Sequence, residues 1–235
     1  MRVTEKLNSG APVTLAFFGD SVTHGYFESF NGMHGTTDYD AVYHTVLKYD
    51  LAKRYPDAEI HVINAGVGGD SAQKGLVRLG QDVIDQHPDF AVVCFGLNDI
   101  NGTMEDYTSA LGEIFGRLLR ADVETVLLTP NMLNTYVDDS LTGGLRDYAY
   151  KTAEYQTGGR MDTFMDAAVR TAVAHGVAVC DCYRIWKEYN ACGVDTTALL
   201  ANRINHPVRD MHKLFAEELL KMITDEGGAQ PCFTV

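Results

Sequence analysis

The sequence predicts an α/β protein: a three-layer α/β/α domain around a parallel sheet. Two observations carry that expectation. Short apolar, β-branched runs alternate along the chain with segments of helical periodicity. The runs are also near-continuous rather than polar at every second position, as strands covered on both faces must be. The composition agrees, since 235 residues that are 46% hydrophobic and 22% charged suffice for one sizeable domain with a continuous core. Residues 1–235 therefore read as a single domain.

The expected strands are "VTLAFF" (13–18), "EIHVINA" (59–65), "FAVVCFG" (90–96), "VETVLLTP" (123–130) and "GVAVCDCY" (176–183). Between the first two, Tyr39, Val42, Tyr43, Val46, Leu47 and Leu51 fall on one face of a helix over 37–54 that must stop before Pro56. Residues 71–86 form the next expected helix. In 105–120, Tyr107, Leu111, Ile114, Phe115, Leu118 and Leu119 repeat the same spacing. Residues 161–175 and 207–225 complete the set. The stretch 131–160, with its Gly-Gly pairs and tyrosines, is the least periodic and is expected as a long excursion over the site. Right-handed crossovers leave few strand orders, and a flavodoxin-like 2-1-3-4-5 is the simplest.

A formal net charge of −13, spread along the chain, sets up a field that repels nucleic acid and anionic membrane surfaces. No apolar stretch approaches the roughly 20 residues needed to cross a bilayer. The N-terminus does not read as a secretory leader, because its first apolar run already belongs to the first strand. The five cysteines, Cys94, Cys180, Cys182, Cys192 and Cys232, are odd in number and scattered, which favours reduced thiols and a cytoplasmic location. Cys180 and Cys182 face one side of a strand in this reading, and no second Cys/His pair joins them as zinc ligands. No metal and no cofactor is expected.

In such a sheet, ligands gather at the carboxyl ends of the strands. Strand one ends at Gly19-Asp20-Ser21, strand two at "NAGVGGDS" (64–71) and strand three at "GLND" (96–99). Near the C-terminus, "NRINHPVRDMH" places His206-Pro207 at the opening of the last helix, where the proline holds the first turn. A hydroxyl nucleophile, donors for an oxyanion and a histidine are the minimum for acyl transfer. Ser21 and His206 supply the first and last. Gly69, in a turn that a substrate can approach closely, and the Asn98 amide are the candidate donors. "GVGGDS" is not a dinucleotide fingerprint, because Ser71 stands where the last glycine belongs and the loop follows the second strand.

Those four blocks, "GDSVTHG", "NAGVGGDS", "GLND" and "HP", resemble in order the blocks of the SGNH hydrolases, also called GDSL esterases and lipases. The resemblance runs from residue 15 to about residue 220. It implies metal-free hydrolysis of an acyl ester through an acyl-enzyme, with Ser21 as nucleophile, His206 as base, and the Ser21 N–H, Gly69 and Asn98 as the oxyanion hole. One position departs. The family places an aspartate three residues before the histidine, and Arg203 stands there. The candidates to hold the imidazole are then Asn202, Asn205, a backbone carbonyl, Asp195 and Asp210.

Simpler roles compete with each assignment. Ser21 and Asn98 suit helix caps, and Gly66 or Gly68 suits the donor as well as Gly69. His24, His34 and His212 are rival bases, whereas His44, His61, His87 and His175 read as packing residues. Asp20 and Asp99 read as loop-stiffening groups. The expected activity is a serine esterase on small acyl esters, with carbohydrate deacetylation favoured. The alternatives are a lysophospholipase or acyl-thioesterase of the same family, or a binding module that has lost hydrolysis.

Overall fold

The computed structural model describes residues 1–30 and 34–224. Cys232 and the expected last residue of the C-terminal helix lie outside them, as does the side chain of His34. Five parallel strands form the main sheet: β1 (Val13–Gly19), β4 (Ile60–Gly66), β5 (Phe90–Cys94), β6 (Glu124–Leu128) and β7 (Ala178–Cys180). Their order, β4-β1-β5-β6-β7, is the expected 2-1-3-4-5.

The sheet separates two helical layers. Helices α3 (Tyr43–Arg54), α8 (Cys182–Ala191) and α9 (Arg209–Ile223) pack together on one face. Helices α4 (Ala72–Asp82), α5 (Met104–Arg120) and α7 (Arg160–Ala174) pack on the other. Successive residues of β1 serve the two layers in turn, as the pleat requires. Phe17 meets Tyr43 edge-on at 5.6 Å on the first side, and Phe18 meets Phe95 at 5.1 Å on the second. Both phenylalanines are fully buried, each contributing about 2–3 kcal/mol. The central strands β1, β5 and β6 are buried almost throughout, whereas β4 at the edge alternates with exposed positions and is less uniformly apolar than the reading assumed.

Several elements differ from expectation. The helix expected over 37–54 begins only at Tyr43, because Asp38 accepts from the Ala41 N–H (3.2 Å) and turns the preceding segment. The segment expected to run as strand to residue 183 stops at Cys180. There the Asp181 side chain accepts from the Arg184 N–H and caps α8, so Cys182 lies on a helix rather than a strand. Half of the excursion at 131–160 is helix, α6 (Gly143–Thr157), with irregular chain before it and a two-residue turn after it. Pro207 does not sit in the first turn of α9; it bridges to Leu200, and the helix starts two residues later.

Two features had no sequence signal strong enough to name them. One is the N-terminal helix α1 (Arg2–Asn8). The other is an antiparallel hairpin of β2 (Tyr26–Phe30) and β3 (His34–Thr37), which follows the single-turn helix α2 (Ser21–His24).

Candidate active site

The carboxyl end of β1 feeds straight into α2. Asp20 caps it by accepting from the Val22 N–H at 3.0 Å, which leaves Ser21 at the first helical position. Burial pushes the Asp20 carboxyl up to about 7. The turn is tight: a Cβ on Gly66, at the end of β4, would lie 2.2 Å from the His24 N, so only glycine lets β4 and α2 approach this closely.

Ser21 Oγ lies 2.9 Å from His206 Nε2, although the two residues are 185 positions apart. The other ring nitrogen, Nδ1, is 3.0 Å from the main-chain oxygen of Phe27 on β2. A carbonyl only accepts, so Nδ1 must carry the proton and Nε2 must present its lone pair to the serine hydroxyl. The geometry thereby fixes the tautomer a general base needs. Burial holds the imidazole down to about 4, which keeps it neutral near pH 7.

None of the four side chains expected to orient His206 (Asn202, Asn205, Asp195 and Asp210) bonds to Nδ1; the backbone carbonyl among the candidates is the group that does. Asp195 accepts from the Tyr136 hydroxyl (2.9 Å) and caps the Ala198 N–H (3.0 Å), and so is committed elsewhere. Asp210 is exposed on α9 and pairs with Lys213 at 2.7 Å. Asn202 acts on the backbone instead. Its Oδ1 accepts from the N–H groups of Ile204, Asn205 and His206 at 3.0, 2.9 and 2.9 Å, while its Nδ2 donates to Asn205 Oδ1 at 2.8 Å. The loop is also tied to the chain beyond β6, where Asn131 donates to the Asn205 carbonyl and the Asn134 N–H to that of Ile204, both at 2.9 Å. Arg203 points away from the imidazole, toward the Ala198 carbonyl and Asp138.

The candidate donors converge on the same place. Gly69 has φ +77°, a left-handed conformation that turns its peptide, and Lys74 Nζ donates to its carbonyl at 3.0 Å. Asn98 stands before a short 3₁₀ turn, but its side chain makes no cap there. Its Nδ2 donates to the Asp70 carbonyl at 2.8 Å, and this anchor leaves a second amide hydrogen for a ligand. Ser21, Gly69, Asn98 and His206 share a cavity of about 720 Å³, with Tyr26 and Tyr148 among its walls.

Arg78 on α4 braces these loops from below. It donates to Asp70 (2.7 Å) and Asp82 (3.1 Å), and to the carbonyls of Ala65 (2.7 Å) and Gly19 (3.0 Å) at the ends of β4 and β1. Asp99 takes the Ala72 N–H at 2.8 Å, and burial raises its carboxyl to about 6. Of the rival histidines, His24 and His212 face elsewhere. His24 lies 2.8 Å from the Gly66 carbonyl and stacks on Tyr26 with centroids 4.7 Å apart. His212 is fully buried and accepts from the Tyr43 N–H at 3.2 Å. Phe27, Tyr26 and Arg78 were not singled out from the sequence. Phe27 acts through its main chain and Arg78 is one arginine among many on helices, so neither leaves a trace in residue type.

Comparison with known proteins identifies the family and the fold. The model of the GDSL-like lipase/acylhydrolase family matches residues 17–214. An acetylxylan esterase of Geobacillus stearothermophilus is 30% identical over 95 residues, which is 40% of this chain and 42% of that protein, so the match spans under half the length of that relative. The crystal structure of an acetyl xylan esterase, AlAXEase, superimposes with a TM-score of 0.68 at 20% identity, covering 89% of this chain and 99% of that one. A lipase/acylhydrolase from Enterococcus faecalis gives 0.68 at 25% identity, covering 91% and 96%. With the family model matched from the end of β1, through the loops at the sheet's carboxyl edge, into the start of the last helix, the chain belongs to the GDSL-like lipase/acylhydrolase family.

Proposed function

We propose that the protein is a serine esterase that removes small acyl groups, acetyl above all, from a carbohydrate. The observation that carries this reading is the 2.9 Å approach of Ser21 Oγ to a histidine nitrogen whose lone pair is fixed by the Phe27 carbonyl, at the floor of an open cavity. Ser21 Oγ attacks the ester carbonyl as its proton passes to His206 Nε2. The N–H groups of Ser21 and Gly69 and the Asn98 amide receive the oxyanion. Collapse expels the alcohol, which takes the proton from His206. Water, deprotonated by the same nitrogen, then hydrolyses the acyl-enzyme and frees the acid and Ser21.

The cavity wall supports a polar leaving group. Asn202, Asn205 and Thr37 offer hydrogen bonds, and Tyr26 and Tyr148 offer aromatic faces of the kind on which sugar rings stack. Two of the similar proteins described above are acetylxylan esterases by name, which favours the same substrate class here. No helix among the described residues is long and apolar enough to cross a membrane. The four described cysteines are free, which supports a cytoplasmic location.

The test is hydrolysis of p-nitrophenyl esters from acetyl to octanoyl, followed by acetylated xylo- and manno-oligosaccharides, with Ser21→Ala beside the wild type. A rate that peaks at acetyl, extends to the oligosaccharides and disappears in the variant is expected. A peak at octanoyl would shift the reading to a lysophospholipase or thioesterase. A folded protein inactive on every ester would leave a binding module.

A further inference from the structure

Replacing the family's aspartate by Arg203 leaves the His206 ring on a neutral acceptor, the Phe27 carbonyl. An imidazolium formed during catalysis needs more than that, because loss of the carboxylate from such a triad costs about 10⁴ in turnover in the serine-protease case. The residue that follows the acceptor on β2 is Glu28. Its Oε1 accepts from Arg209 at 2.8 Å, and Arg209 stands three positions beyond His206. Its Oε2 is buried and has no hydrogen-bond partner among the described residues. Arg209 also donates to Asp38 at 2.7 Å and lies over the Phe27 ring at 4.5 Å. One guanidinium shared by two carboxylates leaves one negative charge uncompensated, beside the strand that holds the imidazole.

We propose that Glu28 is a positioning residue for this reaction, its carboxylate supplying from β2 the negative charge behind His206 that the family draws from the position held here by Arg203. The inference rests on the Ser21–His206 reading given above. The charged and titratable groups around His206 are Glu28 on β2, Asp38 after β3, Arg209 and His212 on α9, and Asp20 behind Ser21. His212 adds no charge, since burial holds it down to about 3. Glu28 pulls His206 toward its charged form, against the burial that lowers it. Because the Glu28 side chain is 30% exposed, solvent screening limits the effect.

The experiment compares kcat, KM and the pH profile of kcat/KM for the wild type, Glu28→Gln, Glu28→Asp and Arg209→Gln, with p-nitrophenyl acetate as substrate. Ser21→Ala is measured first. If it keeps full activity, the underlying reading fails, and Glu28 is then judged by the His206 titration alone. Glu28→Gln preserves an acceptor for Arg209, so a merely structural role predicts little change. The charge role predicts a fall in kcat of about tenfold with KM moved less than about twofold. It also predicts an acid limb shifted to lower pH, and partial recovery in Glu28→Asp.

Arg209→Gln must shift that limb the opposite way, to higher pH, because it unshields the carboxylate. Limbs that shift together, or do not shift, overturn the proposal. The His206 imidazole titrated by NMR in Ser21→Ala, with and without Glu28→Gln, reads the same displacement without turnover. No displacement there overturns it as well.

Discussion

The two halves of the site are built on different principles. Ser21, Gly69 and Asn98 stand just beyond β1, β4 and β5, three adjacent strands whose spacing the sheet fixes. His206 stands on no strand or helix. It belongs to a loop shaped by Asn202, tied to the chain after β6, and aimed by a carbonyl of the β2–β3 hairpin. A site can thus be rigid in one half by sheet geometry and in the other by a few hydrogen bonds between distant segments. The two halves should fail differently when altered.

The largest effect belongs to the sheet-borne half. Ser21→Ala should lower kcat by about 10⁴ or more with the fold unchanged, as steady-state kinetics beside circular dichroism will show. Asn98→Ala removes one of the donors proposed for the oxyanion and should cost about 10²–10³ in kcat with KM little altered. The loop-borne half should respond in stability as well as rate. Asn202→Ala strips an acceptor from three N–H groups, so we expect about 10–100-fold lower kcat together with a loss of about 1–3 kcal/mol in denaturant unfolding. Asn202→Asp keeps the acceptor and should keep most of both. If Asn202→Ala lowers kcat without touching stability, the loop is held by other bonds and the contrast between the halves weakens.

The smallest effect is on pH. As the proposed general base, His206 must be neutral to act, and burial holds it down to about 4. Activity therefore declines only as protons begin to bind there. Between pH 7 and about pH 5, kcat/KM should stay level, falling below that range. A midpoint near the ordinary histidine value would mean that the loop opens to solvent during turnover.

What the sequence made legible follows the same division. Strand ends announce themselves, since an apolar run that stops on Gly-Asp-Ser or Gly-Leu-Asn-Asp marks both the strand and its exposed edge. The sheet order followed from alternation and the handedness of crossovers. A backbone carbonyl was among the groups expected to hold His206, but which one was not legible, because every residue type carries a carbonyl. The hairpin that delivers it pairs short segments with a shift in register between Tyr26 and Ser29, so no clean two-residue period marked it. Asn202 was named for the right loop and the wrong atoms: its amide meets the backbone where the ring was expected. The cap at Asp181 that ends β7 is a local hydrogen bond, and an apolar run like "GVAVCDCY" conceals it.

A main-chain acceptor for His206 changes which lesions the enzyme can tolerate. No single substitution deletes a carbonyl, so the tautomer is insulated from most point mutations at residue 27. An insertion or deletion in β2 would be another matter, since a shift by one residue reverses which face each group presents. The position three before the histidine is released in turn from holding a ring, and Arg203 uses that freedom to fasten the loop to Asp138. The orientation of His206 thus depends on the length of a hairpin rather than on the identity of one side chain.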